Sequence, residues 1–235
     1  MSGWATLFSG GKDSSYTLHL AQERGLPIAW VVTVHPPADA FLYHVPGTHL
    51  AALAAESIGI PLVEVDASTA GADAPMGDAT AHGDAELEPL EVALADLADD
   101  GLQGVTVGAV ESEFQHRRVG AMADRLGIEV FDPLWQRDPL SLLREMVTTG
   151  FEIVVVAVAA RGLDEDWLGR PIDAAAIAEL STLAERYGVH PMGEGGEFET
   201  VVTDGPHMDR PIDFEATSEW DGTRGHLVFE DAWLD

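Results

Sequence analysis

Trp4-Ala5-Thr6-Leu7-Phe8-Ser9-Gly10-Gly11-Lys12-Asp13-Ser14-Ser15-Tyr16 is the stretch that decides the fold. The apolar run Trp4 to Phe8 predicts a strand, and the serine and glycines predict a tight loop. A helix is expected from about Ser14-Ser15 onward, through Tyr16, Leu18 and Leu20. Glycines let backbone N–H groups close on an anion, and a helix N-terminus adds partial positive charge. Lys12 brings an ammonium to the same place, in what reads as an exposed loop. It is the only lysine of a chain with 41 acidic residues against 12 Lys+Arg. A composition so poor in cations that keeps its one lysine here marks a phosphate site rather than a solvated surface.

Spacing rules out the commoner phosphate loops. A Walker loop needs Gly, four residues, then Gly-Lys-Ser/Thr; here Thr6 holds the first glycine position and Asp13 follows Lys12. The dinucleotide pattern G-x-G-x-x-G does not fit this segment either. Strand, Ser-Gly-Gly-Lys-Asp-Ser and helix together resemble the PP-loop of the ATP pyrophosphatases, which cleave ATP between its α- and β-phosphates. The resemblance implies ATP as the nucleotide, with Ser9, Gly10, Gly11, Lys12, Asp13 and Ser14 around its phosphates. It makes Asp13 the candidate ligand for Mg2+.

Outward from that loop, strands and helices alternate. Ile28 to Val34, Pro61 to Val65, Gln103 to Val107 and Ile128 to Phe131 read as strands. Thr48 to Ile58, Glu86 to Leu97 and Ser112 to Leu126 have helical spacing, while Ser68 to Gly83 reads as a surface loop. The pattern predicts an α/β fold, a parallel sheet with helices on both faces. The texture changes after Asp132-Pro133. Helices over Leu140–Val147 and Ile172–Tyr187, a strand over Ile153–Val158 and short alternating segments such as His226–Phe229 predict a smaller mixed α+β domain. We therefore expect residues 1–132 to bind ATP and residues 133–235 to handle the substrate.

Composition sets outer limits. With 235 residues, 46% of them hydrophobic, the chain can bury a core. A formal charge of -29 opposes nonspecific binding of nucleic acid, and such uniform acidity resembles proteins of a high-salt cytoplasm. Absence of cysteine excludes disulfide and thiolate chemistry. No apolar run reaches membrane-spanning length, so no membrane partner and a cytoplasmic location are expected. A homodimer is left open.

Gly193-Glu194-Gly195-Gly196-Glu197-Phe198-Glu199-Thr200 is the second informative segment, followed by Asp204-Gly205-Pro206. Glycines weaken strands and neighbouring charges repel, so it reads as something other than a packed strand. Its three carboxylates suit a cation, either magnesium or an ammonium substrate, against the plainer reading of a solvated acidic loop. Here a narrower resemblance appears. A PP-loop near the start and Gly-Glu-Gly-Gly-Glu-Phe-Glu-Thr…Asp-Gly-Pro near the end resemble the diphthine–ammonia ligase family, in its archaeal single-chain form. Leu42-Tyr43-His44-Val45-Pro46, Glu111-Ser112-Glu113-Phe114-Gln115-His116-Arg117-Arg118, Pro133-Leu134-Trp135 and Gly162-Leu163-Asp164…Leu168-Gly169 match in order. Phe114 stands where the family has tyrosine, and Gly120 where many members have glutamate.

The resemblance implies ATP-dependent amidation of diphthine, a modified histidine of elongation factor 2, through an acyl-adenylate with release of pyrophosphate and AMP. Ammonium would be the nitrogen donor. Lys12 and Asp13 would act on the phosphates. Glu194, Glu197 and Glu199 would hold ammonium, deprotonate it or face the substrate's cation, and the sequence does not divide those jobs. His44, Gln115, Arg118, Trp135, Gly195, Gly196, Phe198 and Thr200 are candidates for the substrate pocket. Gln115 and Arg118, three apart on a helix, are expected to share one face. Rival readings are a PP-loop ligase acting on another carboxylate or on tRNA, and an ATP- or AMP-binding regulatory module without turnover.

Overall fold

The computed structural model describes residues 2–35, 47–68 and 79–235, with side chains throughout except at 47–49 and 79–86. Five strands, β1 (Gly3–Leu7), β2 (Ile28–His35), β3 (Leu62–Asp66), β4 (Leu102–Thr106) and β5 (Glu129–Phe131), alternate with four helices. These are α1 (Lys12–Glu23), α2 (Gly47–Ile58), α3 (Ala79–Asp99) and α4 (Glu113–Leu126). The strands form one parallel sheet in the order β3-β2-β1-β4-β5. Helices cover both faces, which is why strand residues Ala5, Val31, Val32 and Val105 are all essentially inaccessible.

The rest of the chain adds α5 (Pro139–Thr149), β6 (Glu152–Val158), a 3-10 turn at Glu165–Trp167, and α6 (Ala174–Tyr187). Strands β7 (Phe198–Asp204), β8 (Ile212–Trp220) and β9 (Gly225–Leu234) follow. The last four strands make an antiparallel sheet in the order β7-β6-β9-β8. Helix starts carry side-chain caps where the sequence supplies them: Asp138 accepts from Ser141 N–H, and Asp173 from Ala176 N–H. The expected α/β architecture with a second, mixed unit is therefore present.

Apolar packing runs between the two sheets. Phe8, Leu18, Val31 and Leu50 of the parallel layer share one cluster with Val201, Ile212 and Ala232 of the antiparallel layer. Polar ties reinforce it, since Ser57 Oγ donates to Arg210 O at 2.5 Å and accepts from Arg210 N at 2.9 Å. The junction is thus packed like an interior, and side chains at it hold fixed positions.

Four local expectations are corrected. Helix α1 begins at Lys12, not at Ser14-Ser15, because the extended Gly11 is already its N-cap. Of the expected loop Ser68–Gly83, residues 79–83 belong to α3, and 69–78 lie outside the described residues. Ile172 precedes α6 and donates its N–H to Ile153 O instead of starting the helix. Phe198, Glu199 and Thr200 are strand residues after all, the first three of β7. Glycine and charge repulsion break the strand only up to Glu197. Beyond it Phe198 buries its ring in the core and Glu199 lines a cavity.

Candidate active site

A cavity of about 850 Å³ opens beyond the C-terminal ends of β1, β2 and β4. The strand order reverses its direction of growth between β1 and β4, and such switch points leave a crevice for ligands. The Ser9–Ser14 loop forms its floor. Gly10 has φ +78°, in the left-handed region, which lets the chain leave β1 and turn into α1 within four residues. Gly108, just past β4, lies so close to α1 that a Cβ there would fall 2.9 Å from the Asp13 carbonyl carbon. The first turn of α1, with backbone N–H groups that have no intrahelical partner, is thereby held at the cavity wall.

Side chains of the loop bond mostly to one another. Ser14 Oγ donates to Gly11 O at 3.1 Å and accepts from Ser9 N at 3.2 Å. Other contacts come from the second sheet: Lys12 N donates to Thr200 Oγ1 at 3.3 Å, and Val202 N to Gly10 O at 2.9 Å. Lys12 is buried, correcting the expectation of an exposed loop residue. Its Nζ donates to Met192 O at 2.5 Å and to Asp13 Oδ2 at 2.8 Å, and lies 5.5 Å from the centre of the Phe198 ring. Burial pushes the Asp13 carboxyl above its usual range; Lys12 opposes that shift and the Glu194 charge adds to it. Asp13 Oδ1 is buried without a hydrogen-bond partner among the described residues.

The three glutamates of the 193–200 segment separate by geometry. Glu194 Oε2 accepts from Glu111 N at 3.1 Å and Ser112 N at 2.9 Å, pinning its loop to the N-terminus of α4. Glu197 accepts from His190 N with one oxygen at 3.0 Å and from Gly195 N with the other at 2.8 Å, closing its own loop. Only Glu194 and Glu199 of the three line the cavity. The Glu199 carboxylate makes no hydrogen bond among the described residues, and burial pushes it up to about 7 against the pull of Lys12.

The remaining expected residues are dispersed. Gln115 lines the cavity with Ser112, whereas Arg118 is not among the lining residues and lays its guanidinium 3.3 Å from the centre of the Phe114 ring. Phe114 is 52% exposed, and the position of Gly120 has open space where a side chain would stand. Trp135 lies outside the cavity, stacked on His116 at 4.0 Å while His116 Nε2 meets Asp132 at 2.7 Å. Gly195 and Gly196 are exposed and do not line the cavity; Phe198 packs in the core and also borders the cavity, and Thr200 lines it while accepting from Lys12 N. His44 lies outside the described residues.

Residues that sequence reasoning missed are Met192, whose carbonyl receives Lys12, and His190. His190 Nδ1 accepts from Met192 N at 3.2 Å, which leaves Nε2 to donate to Glu111 at 3.2 Å. No motif marks either one. The proximity of His190 to the glycine–glutamate segment was the only available signal.

Fold and site together define the class: an α/β protein with a parallel five-stranded sheet, whose Ser9–Ser14 loop is completed by a second, antiparallel sheet. Comparison with known proteins narrows it. Residues 3–130 match the model described as the diphthamide synthase N-terminal domain, and residues 138–234 the diphthamide synthase C-terminal domain. Diphthine–ammonia ligase of Bos taurus is 34% identical over 218 residues, covering 88% of this chain and 81% of that protein. The Danio rerio enzyme is 33% identical, with 90% and 86% covered. The longer Saccharomyces cerevisiae protein is 32% identical, with 85% of this chain but 32% of its own length covered. A solved Methanocaldococcus jannaschii chain, titled a predicted subunit of tRNA methyltransferase, is 17% identical. It overlaps 88% of this chain and 98% of its own at a TM-score of 0.48, too weak a likeness to argue from. The chain belongs to the diphthine–ammonia ligase family, enzymes that join carbon to nitrogen.

Proposed function

We propose that this chain amidates diphthine on elongation factor 2, using ATP and ammonium and releasing pyrophosphate and AMP. Residues 1–132 bind the nucleotide in this reading, and residues 133–235 present the diphthine. One observation carries it: both sequence motifs, residues 9–14 and 193–200, reach the same cavity, and Lys12 N of the first donates to Thr200 Oγ1 of the second, with Val202 N just beyond it donating to Gly10 O. Free carboxylates resist attack by ammonia, so the diphthine carboxylate first displaces pyrophosphate from ATP. The C–O–P link of an acyl-adenylate forms as the α–β phosphate bond breaks. Ammonia then forms the C–N bond, and AMP departs.

The residues present suit such a nucleotide. Lys12 and the N–H groups of the first α1 turn face the position where charge grows on the departing pyrophosphate, stabilisation of the oxyanion-hole kind. On binding, Lys12 exchanges the Met192 carbonyl for a phosphate oxygen, and the long Lys12 N to Thr200 bond is readily replaced. Magnesium, when bound, neutralises phosphate charge in this acidic cavity. Asp13 Oδ1 is the unengaged oxygen to hold it. No cluster of three or more metal-ligating side chains occurs among the described residues. One carboxylate completed by phosphate and water oxygens is a donor set that magnesium favours.

The test is to incubate the protein in molar potassium chloride with ATP, magnesium, ammonium and diphthine-bearing elongation factor, then weigh the factor and measure AMP. Acid-to-amide conversion with equal AMP is expected. Nucleotide binding with neither product would leave a regulatory module instead.

A further inference from the structure

We propose that Glu199 is the base that takes the proton from ammonium, with Glu194 and Glu197 acting only as positioning residues. This rests on the amidation reading above. Six titratable side chains among the described residues line the cavity: Lys12, Asp13, His35, Glu194, Glu199 and His226. Asp13 is paired with Lys12, and Glu194 accepts two backbone N–H groups. His35 on β2 meets Glu64 at 3.2 Å, and His226 on β9 lies 3.8 Å from Glu219. Glu199 alone of the six makes no hydrogen bond or ion pair among the described residues, and it stands at the start of β7 beside the Ser9–Ser14 loop.

Chemistry gives that position its meaning. At neutral pH the nitrogen source is almost all ammonium, which has no lone pair to attack with. A carboxylate facing the cavity binds the cation by charge and accepts one proton, becoming Glu199-COOH. The released ammonia forms the C–N bond to the acyl carbon, the C–O bond to AMP breaks, and the second proton leaves to solvent. A base works best when its pKa lies near the working pH, and burial raises that of Glu199 to about 7. Both oxygens of Glu197 are engaged within its own loop, so it cannot serve without dismantling that loop.

The experiment compares wild type with Glu199→Gln and Glu199→Asp, using two nucleophiles. Ammonium needs a base, whereas hydroxylamine is largely unprotonated at neutral pH and does not. Glu199→Gln is expected to lose about 100-fold of amide formation, yet to form AMP and the hydroxamate within a few-fold of wild type. Glu199→Asp recovers part of the amide rate. The wild-type rate with ammonium levels off near pH 7, while that of Glu199→Gln keeps climbing with free ammonia. The proposal is overturned if Glu199→Gln amidates normally, if it loses hydroxamate and amide together, or if the pH limb vanishes instead in His35→Gln or His226→Gln. A wild type that makes neither amide nor hydroxamate overturns the function reading, and this one with it.

Discussion

Replacing Lys12 by methionine keeps the length of the side chain and removes its charge and its donors. In the exposed loop that the sequence suggests, this change would cost catalysis only. The buried ammonium instead joins Met192 O, from the loop before β7, to Asp13. A hydrogen bond to a charged group contributes about 1.5–3 kcal/mol, and losing this one also leaves Asp13 without its partner. We therefore expect a net loss of about 3 kcal/mol, which for a chain of this size lowers the melting temperature by roughly 6–12 °C. AMP formation should fall about 100-fold or more, the scale of one lost electrostatic stabiliser. The double variant Lys12→Met/Asp13→Asn separates the two effects. Removing the stranded carboxylate should restore much of the melting temperature and none of the turnover. Scanning fluorimetry and AMP release at a temperature where every variant is folded supply both readouts. Melting of Lys12→Met within about a degree of wild type, or normal AMP release, would refute the reasoning.

Four further outcomes are expected. Glu197→Gln, whose amide can satisfy only one of the two backbone N–H groups, should cost about 1–3 kcal/mol in urea unfolding. Glu194→Gln should cost less, because one oxygen already takes both N–H groups there; the reverse order would sink this division of roles. Burial holds His207 down to about 4, and neither ring nitrogen has a partner. The unfolded chain therefore binds that proton first, and stability present above pH 6.5 is lost as pH falls toward 4. His207→Leu should flatten this acid limb, by on the order of 3 kcal/mol at pH 4. Glu199 has the opposite sense: with its carboxyl raised to about 7, the fold loses stability as pH rises from 4.5 to 7. Glu199→Gln should then be the more stable protein at pH 8, by on the order of 3 kcal/mol, and equal stability would show that the carboxyl is not strained by burial. With a formal charge of -29, melting temperature should rise from low salt to molar potassium chloride, and a flat curve would remove the high-salt reading.

The parallel layer was legible because its information is local. Apolar runs alternate with helix-spaced segments along the chain, and that alternation predicts parallel strands with helices between them. The strand–loop–helix turn at Ser9–Ser14 was legible for the same reason, its six residues being consecutive. Roles within the 193–200 segment were not. What distinguishes Glu194 from Glu199 is a pair of N–H groups at Glu111 and Ser112, more than 80 positions earlier in the chain. Composition could not show that Lys12 is buried either, since the carbonyl that receives it belongs to Met192. Gln115 and Arg118 show the limit of helical spacing: an exposed neighbouring ring, Phe114, captured the guanidinium.

The bonds from Lys12 N to Thr200 and from Val202 N to Gly10 mean that the hexapeptide is not an autonomous module. An N-terminal fragment would contain every letter of the motif and lack the strand that shapes it. Its lysine would swing free, and its first helical turn would lose its brace. Exchanging halves between two such ligases should then fail unless residues 192–202 travel with the loop they support, and substitutions at either end should be tolerated in pairs more readily than alone.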